Sequence, residues 1–123
     1  MPATDAQILG ARAEQIALDY LTGHGLTILE RNYRRRLGEI DLVALDNGVL
    51  VIAEVRTRSS QAYGGAAASV GPLKQRRIIR AAAQLLQQRR DYAALPVRFD
   101  VVIVSGAGSA APEVNWLRHA FEA

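Results

Sequence analysis

The sequence predicts one α/β domain in which a mixed β-sheet carries helices on its faces. Three observations support this. Gly38 to Arg58, GEIDLVALDNGVLVIAEVRTR, reads as two strands around Asn47-Gly48, a pair suited to a type I′ turn because both central residues need positive φ. Helical apolar patterns stand on either side of it, at about residues 5–22 and 72–90. After the second helix, Val97 to Ser105 (VRFDVVIVS) reads as an apolar strand returned in parallel to the sheet.

In chain order, Thr4 with Gln7 forms a capping-box signal that opens the first helix, and Gly23 and Gly25 end it. Its inward line is Gly10, Glu14, Ala17 and Leu21, with Ala13, Ile16 and Tyr20 alongside. Glu14 interrupts that stripe, either as a marginal residue reaching water or as an acid aimed at the hairpin. Leu26 to Tyr33 has strand character and leads into Arg34-Arg35-Arg36, which reads as a solvated turn or a phosphate contact.

In the hairpin, a two-residue turn pairs positions whose numbers sum to 95. Asp41 then lies opposite Glu54 and Glu39 opposite Arg56, while Ile40–Val55, Leu42–Ala53 and Ala44–Val51 make an apolar face. Directly opposed carboxylates repel unless one is protonated or a cation lies between them. The pair reads as an oxygen-ligand divalent metal site, or as two solvated acids on an exposed edge.

After Arg58, SSQAYGGAAASVGP reads as a long loop with Gly64-Gly65 as a hinge and Tyr63 available to stack. Pro72 opens the second helix, whose buried stripe is Ile78, Ile79, Ala82, Leu85 and Leu86. Lys74, Arg77 and Arg80 form a basic flank, either solvated or tracking phosphates. Asp100, the one acid in VRFDVVIVS, reads as structural, bonding a neighbouring loop. Gly106 to Pro112 reads as a flexible loop without a nucleotide-binding pattern. Glu113 to Leu117 reads as an edge strand, with Trp116 and Phe121 anchoring the tail.

At 123 residues, without internal repeats, the expectation is a single domain spanning 1–123. Cysteine is absent, which excludes disulfides, thiolate zinc sites and thiol nucleophiles. No apolar run approaches the ~20 residues that span a bilayer, and MPATDAQILG lacks signal-peptide order, so the expected location is cytoplasmic. Net charge is +3, a lean toward polyanions, and of 15 basic residues only Lys74 is lysine.

Several segments together carry a family resemblance: Gly10 to Tyr20 with Glu14, Asn32-Tyr33-Arg34, and Gly38 to Val43 (GEIDLV). Glu54 to Arg58 (EVRTR), Lys74-Gln75 and Arg98 to Val102 complete the set. The chain resembles the PD-(D/E)XK (restriction-endonuclease-like) nuclease superfamily, which includes Holliday-junction resolvases. More narrowly, it is similar to the uncharacterised bacterial YraN-like family. The resemblance implies a three-layer fold, a central mixed sheet flanked by helices, in the order αβββαβ plus a C-terminal strand.

It also implies Asp41 and Glu54 as ligands of Mg2+ or Mn2+, the Val55 carbonyl as a third ligand, and Glu14 acting through water. Arg34, Arg35, Arg36, Arg58, Lys74 and Arg77 become the nucleic-acid contacts, DNA the partner, and a homodimer is left open. The chain departs from the family pattern at Arg56, where a lysine is expected. Arginine stays protonated and cannot act as a base, and Glu39 is its predicted cross-strand holder. If a base were required, the protein would be inactive or Lys74 would have to reach in.

Three functions follow. They are a metal-dependent DNA endonuclease for branched or damaged substrates, a non-cutting nucleic-acid-binding module, and a structural or interaction domain whose acids are a relic.

Overall fold

The computed structural model describes residues 2–58 and 70–123; the expectations for Tyr63 and Gly64-Gly65 lie outside the described residues. Helix α1 (Asp5–Gly23) opens on the expected capping box, the Thr4 hydroxyl accepting the Gln7 N–H at 3.1 Å and Gln7 Oε1 accepting the Thr4 N–H at 2.9 Å. It closes in a Schellman motif, because Gly25 at φ +91° lets the Leu26 N–H reach the Leu21 carbonyl at 3.1 Å.

Strands β1 (Thr27–Arg35), β2 (Gly38–Asp46) and β3 (Val49–Arg58) form an antiparallel meander. Helix α2 (Pro72–Gln88) and the single turn α3 (Arg90–Ala93) carry the chain to β4 (Val97–Ser105), which runs parallel to β3. Strand β5 (Glu113–Phe121) pairs antiparallel on β4, so the sheet order is β1-β2-β3-β4-β5. This is the predicted α/β architecture with its mixed sheet.

Three boundaries move. β1 runs to Arg35 because Arg35 pairs with Gly38 across a two-residue turn. α2 stops at Gln88, where Arg89 leaves helical geometry and the next turn buries Tyr92. β5 continues to Phe121 because a bulge, with His119 at φ 54°, lets Phe121 pair with Phe99 and stack on it at 5.1 Å.

Asn47 and Gly48 take φ 49° and 81°, the double positive that a type I′ turn needs. The register sums to 95 from Asp46–Val49 to Leu42–Ala53, as expected. α1 buries Ala13, Ala17 and Leu21 against Leu42, Ala44, Val51 and Ala53 on one face of the sheet. α2 buries Ile78, Ala81, Ala82 and Leu85 against Val43, Leu50 and Ile52 on the other. The result is three layers, with β3 at the centre of the sheet. Among the described residues no helix is long and apolar enough to cross a membrane.

Asp100 is fully buried and structural, but its partners differ from the expectation. It accepts from Arg98 Nε (2.9 Å), Trp116 Nε1 (2.9 Å) and the bulged His119 N–H (2.9 Å), and not from a loop. Arg98 also holds Asp46 at 3.0 Å, which ties β4 to the hairpin turn. Trp116 anchors β5 through this bond and stands edge-on to Tyr20 of α1.

Gly38 sets how closely α2 approaches the hairpin, since a Cβ there would lie 2.1 Å from the Arg77 carbonyl oxygen. The obstacle is helix backbone, which cannot swing aside. Gly38→Ala is therefore expected to push α2 off β2 at a cost of about 1–3 kcal/mol. Urea unfolding followed by circular dichroism measures it, and an unchanged midpoint would contradict the contact.

Candidate functional site

The hairpin ladder does not reach the two acids as the sequence led us to expect. It ends at Leu42–Ala53, and beyond that point the Asp41 carboxylate accepts the Val55 N–H at 2.8 Å. In a continued ladder that donor would go to the Ile40 carbonyl. The carboxylate takes the carbonyl's place, so β2 and β3 part here. The side-chain faces change accordingly. Ile40 joins the α2-side core instead of the Leu42–Ala44 face, and Asp41 lines a cleft beneath α1.

On the neighbouring strand, Asn32 at φ 51° lies between Arg31, paired with Leu42, and Tyr33, paired with Ile40. β1 and β2 are distorted at the same level. Asparagine tolerates this left-handed conformation better than most residues.

The cleft has a volume of about 320 Å³ and is lined by Gly10, Ala13, Glu14, Asp41, Val55, Arg56 and Thr57. The small residues at positions 10 and 13 keep α1 from filling it. Glu14 therefore aims at the hairpin, and its carboxyl is pushed up by burial and by Asp41 while an Asn32 hydrogen bond opposes this. Glu54 is only 4% exposed. Its carboxyl is pushed up to about 8 by burial, by the Asp41 charge, and by a hydrogen bond with Asp41 that only the protonated acid can donate. Lys74 and Arg56 pull in the other direction.

Among the described residues, no donor reaches the buried Oε1 atoms of Glu14 and Glu54. A buried acid with an oxygen lacking a donor, beside a second acid, has the deficit that a divalent cation fills on displacing the proton. The donors available are the Asp41 and Glu54 carboxylates and the Val55 carbonyl. The described residues contain no group of three or more acidic, histidine or cysteine side chains arranged to hold a metal. That leaves two carboxylates, an arrangement Mg2+ accepts because it keeps several waters.

The basic residues divide. Arg56 Nη1 lies 3.7 Å from Glu54 Oε2, and Glu39 holds Arg34 at 3.7 Å and Lys74 at 3.5 Å rather than Arg56. The expected Glu39–Arg56 pairing is lost because the strands have parted. Lys74 leaves its helix flank and places Nζ 3.6 Å from Glu54 Oε2. Arg35 stacks on Tyr33 with its guanidinium carbon 4.1 Å from the ring centroid, while Arg36 and Arg77 are exposed. Arg58 lines a neighbouring cleft with Leu9, Thr57, Gly106 and Ala107. Sequence reasoning gave no role to Asn32 or to Glu39 as the partner of Lys74. An asparagine inside a strand was the available signal for the first, whereas the second depends on how α2 packs.

Against known proteins, the family model described as uncharacterised protein family UPF0102 matches residues 13–104. A UPF0102 protein of Alkalilimnicola ehrlichii is 51% identical over 114 residues, covering 93% of this chain and 86% of that relative. Those of Stutzerimonas stutzeri (45% over 119 residues, 97% and 98% covered) and Methylococcus capsulatus (48% over 116 residues, 94% and 92% covered) are similarly close.

The raised Glu54 carboxyl makes metal-free stability depend on pH. Its proton is bound in the folded state up to about pH 8 but leaves the unfolded chain near the ordinary value of 4.5. The stabilisation is therefore complete below 4.5 and is lost as pH rises through about 8. In EDTA, the melting temperature is expected to fall across this window, and the fall should be largely absent in Glu54→Gln. Parallel curves for the two proteins would contradict the shift.

Proposed function

We propose a divalent-metal-dependent endonuclease activity on DNA for this chain, which belongs to the uncharacterised protein family UPF0102, the YraN-like family. The observation that carries the proposal is the Asp41–Glu54 junction. There two acids are held together where the strands part: Asp41 lines an open cleft with Arg56, and Glu54 has Lys74 beside it and a buried oxygen that no donor among the described residues reaches.

Asp41 and Glu54 would hold Mg2+ or Mn2+, with the Val55 carbonyl as a further oxygen. The ion supplies Lewis-acid stabilisation of the phosphate and a water of lowered pKa. Glu14, across the cleft, would accept a hydrogen bond from such a water at its buried Oε1. Arg56 offsets charge on the phosphate, and Arg34, Arg35, Arg36, Arg58 and Arg77 contact the backbone without reading sequence. Branched or damaged DNA is the substrate class the family resemblance implies.

One observation favours a second reading. Arg56 stands where the nuclease pattern has lysine, and a permanently charged fork cannot take a proton. A binding module that keeps the fold without cutting would look the same at this position.

Incubation with linear, flap and four-way-junction DNA in Mg2+ or Mn2+ decides between them. The expected outcome is metal-dependent cleavage that falls at least about 100-fold in Asp41→Ala, in line with loss of a preorganised electrostatic group. Arg56→Lys should cut at least as fast as the native chain. If both leave every substrate intact while junction DNA is still bound, the binding module is correct.

A further inference from the structure

The geometry points to Lys74 as the catalytic cation of this site: once a divalent ion occupies Glu54, its ammonium group holds a non-bridging oxygen of the reacting phosphodiester. This rests on the nuclease reading above and assigns one residue's role within it.

Lys74 sits in the first turn of α2, whose N-cap Gly71 makes no side-chain cap bond and whose first turn carries no acid. A positive charge there opposes the helix dipole, whose N-terminal end attracts anions. The Glu54 and Glu39 carboxylates offset that opposition, and the same helix end would favour a phosphate beside the ammonium. Its Nζ lies 3.6 Å from Glu54 Oε2 and 3.5 Å from Glu39 Oε1, both beyond good hydrogen-bond length. The charge is thus kept beside the acids while its donors are not committed to them. The side chain is 27% exposed, so the amine is neither sealed in the core nor fully solvated.

The choice of residue agrees. Fourteen of the chain's fifteen basic residues are arginine, including Arg56. The single lysine lies against the candidate site. An ammonium is a compact point charge on a flexible stem and can meet one oxygen, whereas a guanidinium is a rigid planar fork. Lys74 can also leave Glu54 without stranding charge: the metal ion neutralises Glu54, and Glu39 keeps Arg34 at 3.7 Å. A bare structural tie between α2 and β3 would require neither lysine in particular nor a second acid.

The test uses the full chain and a short labelled DNA duplex, with binding measured across a salt series in Ca2+ and in EDTA. In the native protein Ca2+ should tighten binding and steepen the salt dependence by about one phosphate contact. Lys74→Gln should lose that increment, about tenfold in affinity, and Lys74→Arg should lose most of it. Arg77→Gln should weaken binding equally with and without Ca2+. Calorimetry with Ca2+ alone should show Lys74→Gln binding the ion at least as tightly as the native chain, since a competing charge is gone.

An undiminished increment in Lys74→Gln, a loss of Ca2+ affinity in that variant, or no DNA binding by the native chain would overturn the assignment. Cleavage in Mg2+ separates the two proposals. A Lys74-dependent increment without any cutting would sink the nuclease reading and leave the contact standing. Cutting that survives Lys74→Gln unchanged would do the reverse.

Discussion

The Asp41 carboxylate on the Val55 N–H is the constraint from which the site follows. A buried backbone donor left unpaired costs about 1–3 kcal/mol, so β2 can leave β3 only if something replaces the lost carbonyl. A side chain does so, and several things change together. Ile40 turns to the α2 core, Asp41 turns to the cleft under α1, and Glu54 is left buried between the parted strands. The apolar cores on both faces hold the strands in place on either side of the opening, which is why acids can be brought together against their repulsion.

The fold uses the same device once more, with a different result. Asp100 accepts the N–H released by the His119 bulge and is as deeply buried as any residue in the sheet. Arg98 and Trp116 complete its shell, so charge and lone pairs are both satisfied. Glu14 and Glu54 differ in having buried oxygens that no donor among the described residues reaches. Burial of an acid is therefore not what marks the site in this protein. A deficit of donors on the acids themselves is.

Charge around Glu54 comes from two directions, Arg56 on its own strand and Lys74 from α2. Lys74 stands beside Glu54 because Gly38 allows α2 to lie close to β2. Glu39 spans Lys74 and Arg34, linking the basic β1–β2 turn to the acids. A surface ion chain of this kind adds little stability. Its effect is to gather Arg34 and Lys74 on one side of Glu54.

The sequence by itself determined the helices, the order of the strands and the hairpin turn with its register from Asp46–Val49 to Leu42–Ala53, and it marked Glu14, Asp41, Glu54 and Lys74 as candidates. Those features depend on local rules: capping residues, a turn needing two positive φ angles, and periodicities of two and 3.6 that assign faces. The relation between the acids was decided only by tertiary structure. Period-two alternation assumes an unbroken ladder, and it mispaired Asp41 with Glu54, Ile40 with Val55 and Glu39 with Arg56 where a side chain displaced the backbone. Likewise Lys74 read as one step on a basic flank. Its approach to Glu54 depends on how far α2 sinks onto β2, which is set by contacts between residues distant in the chain.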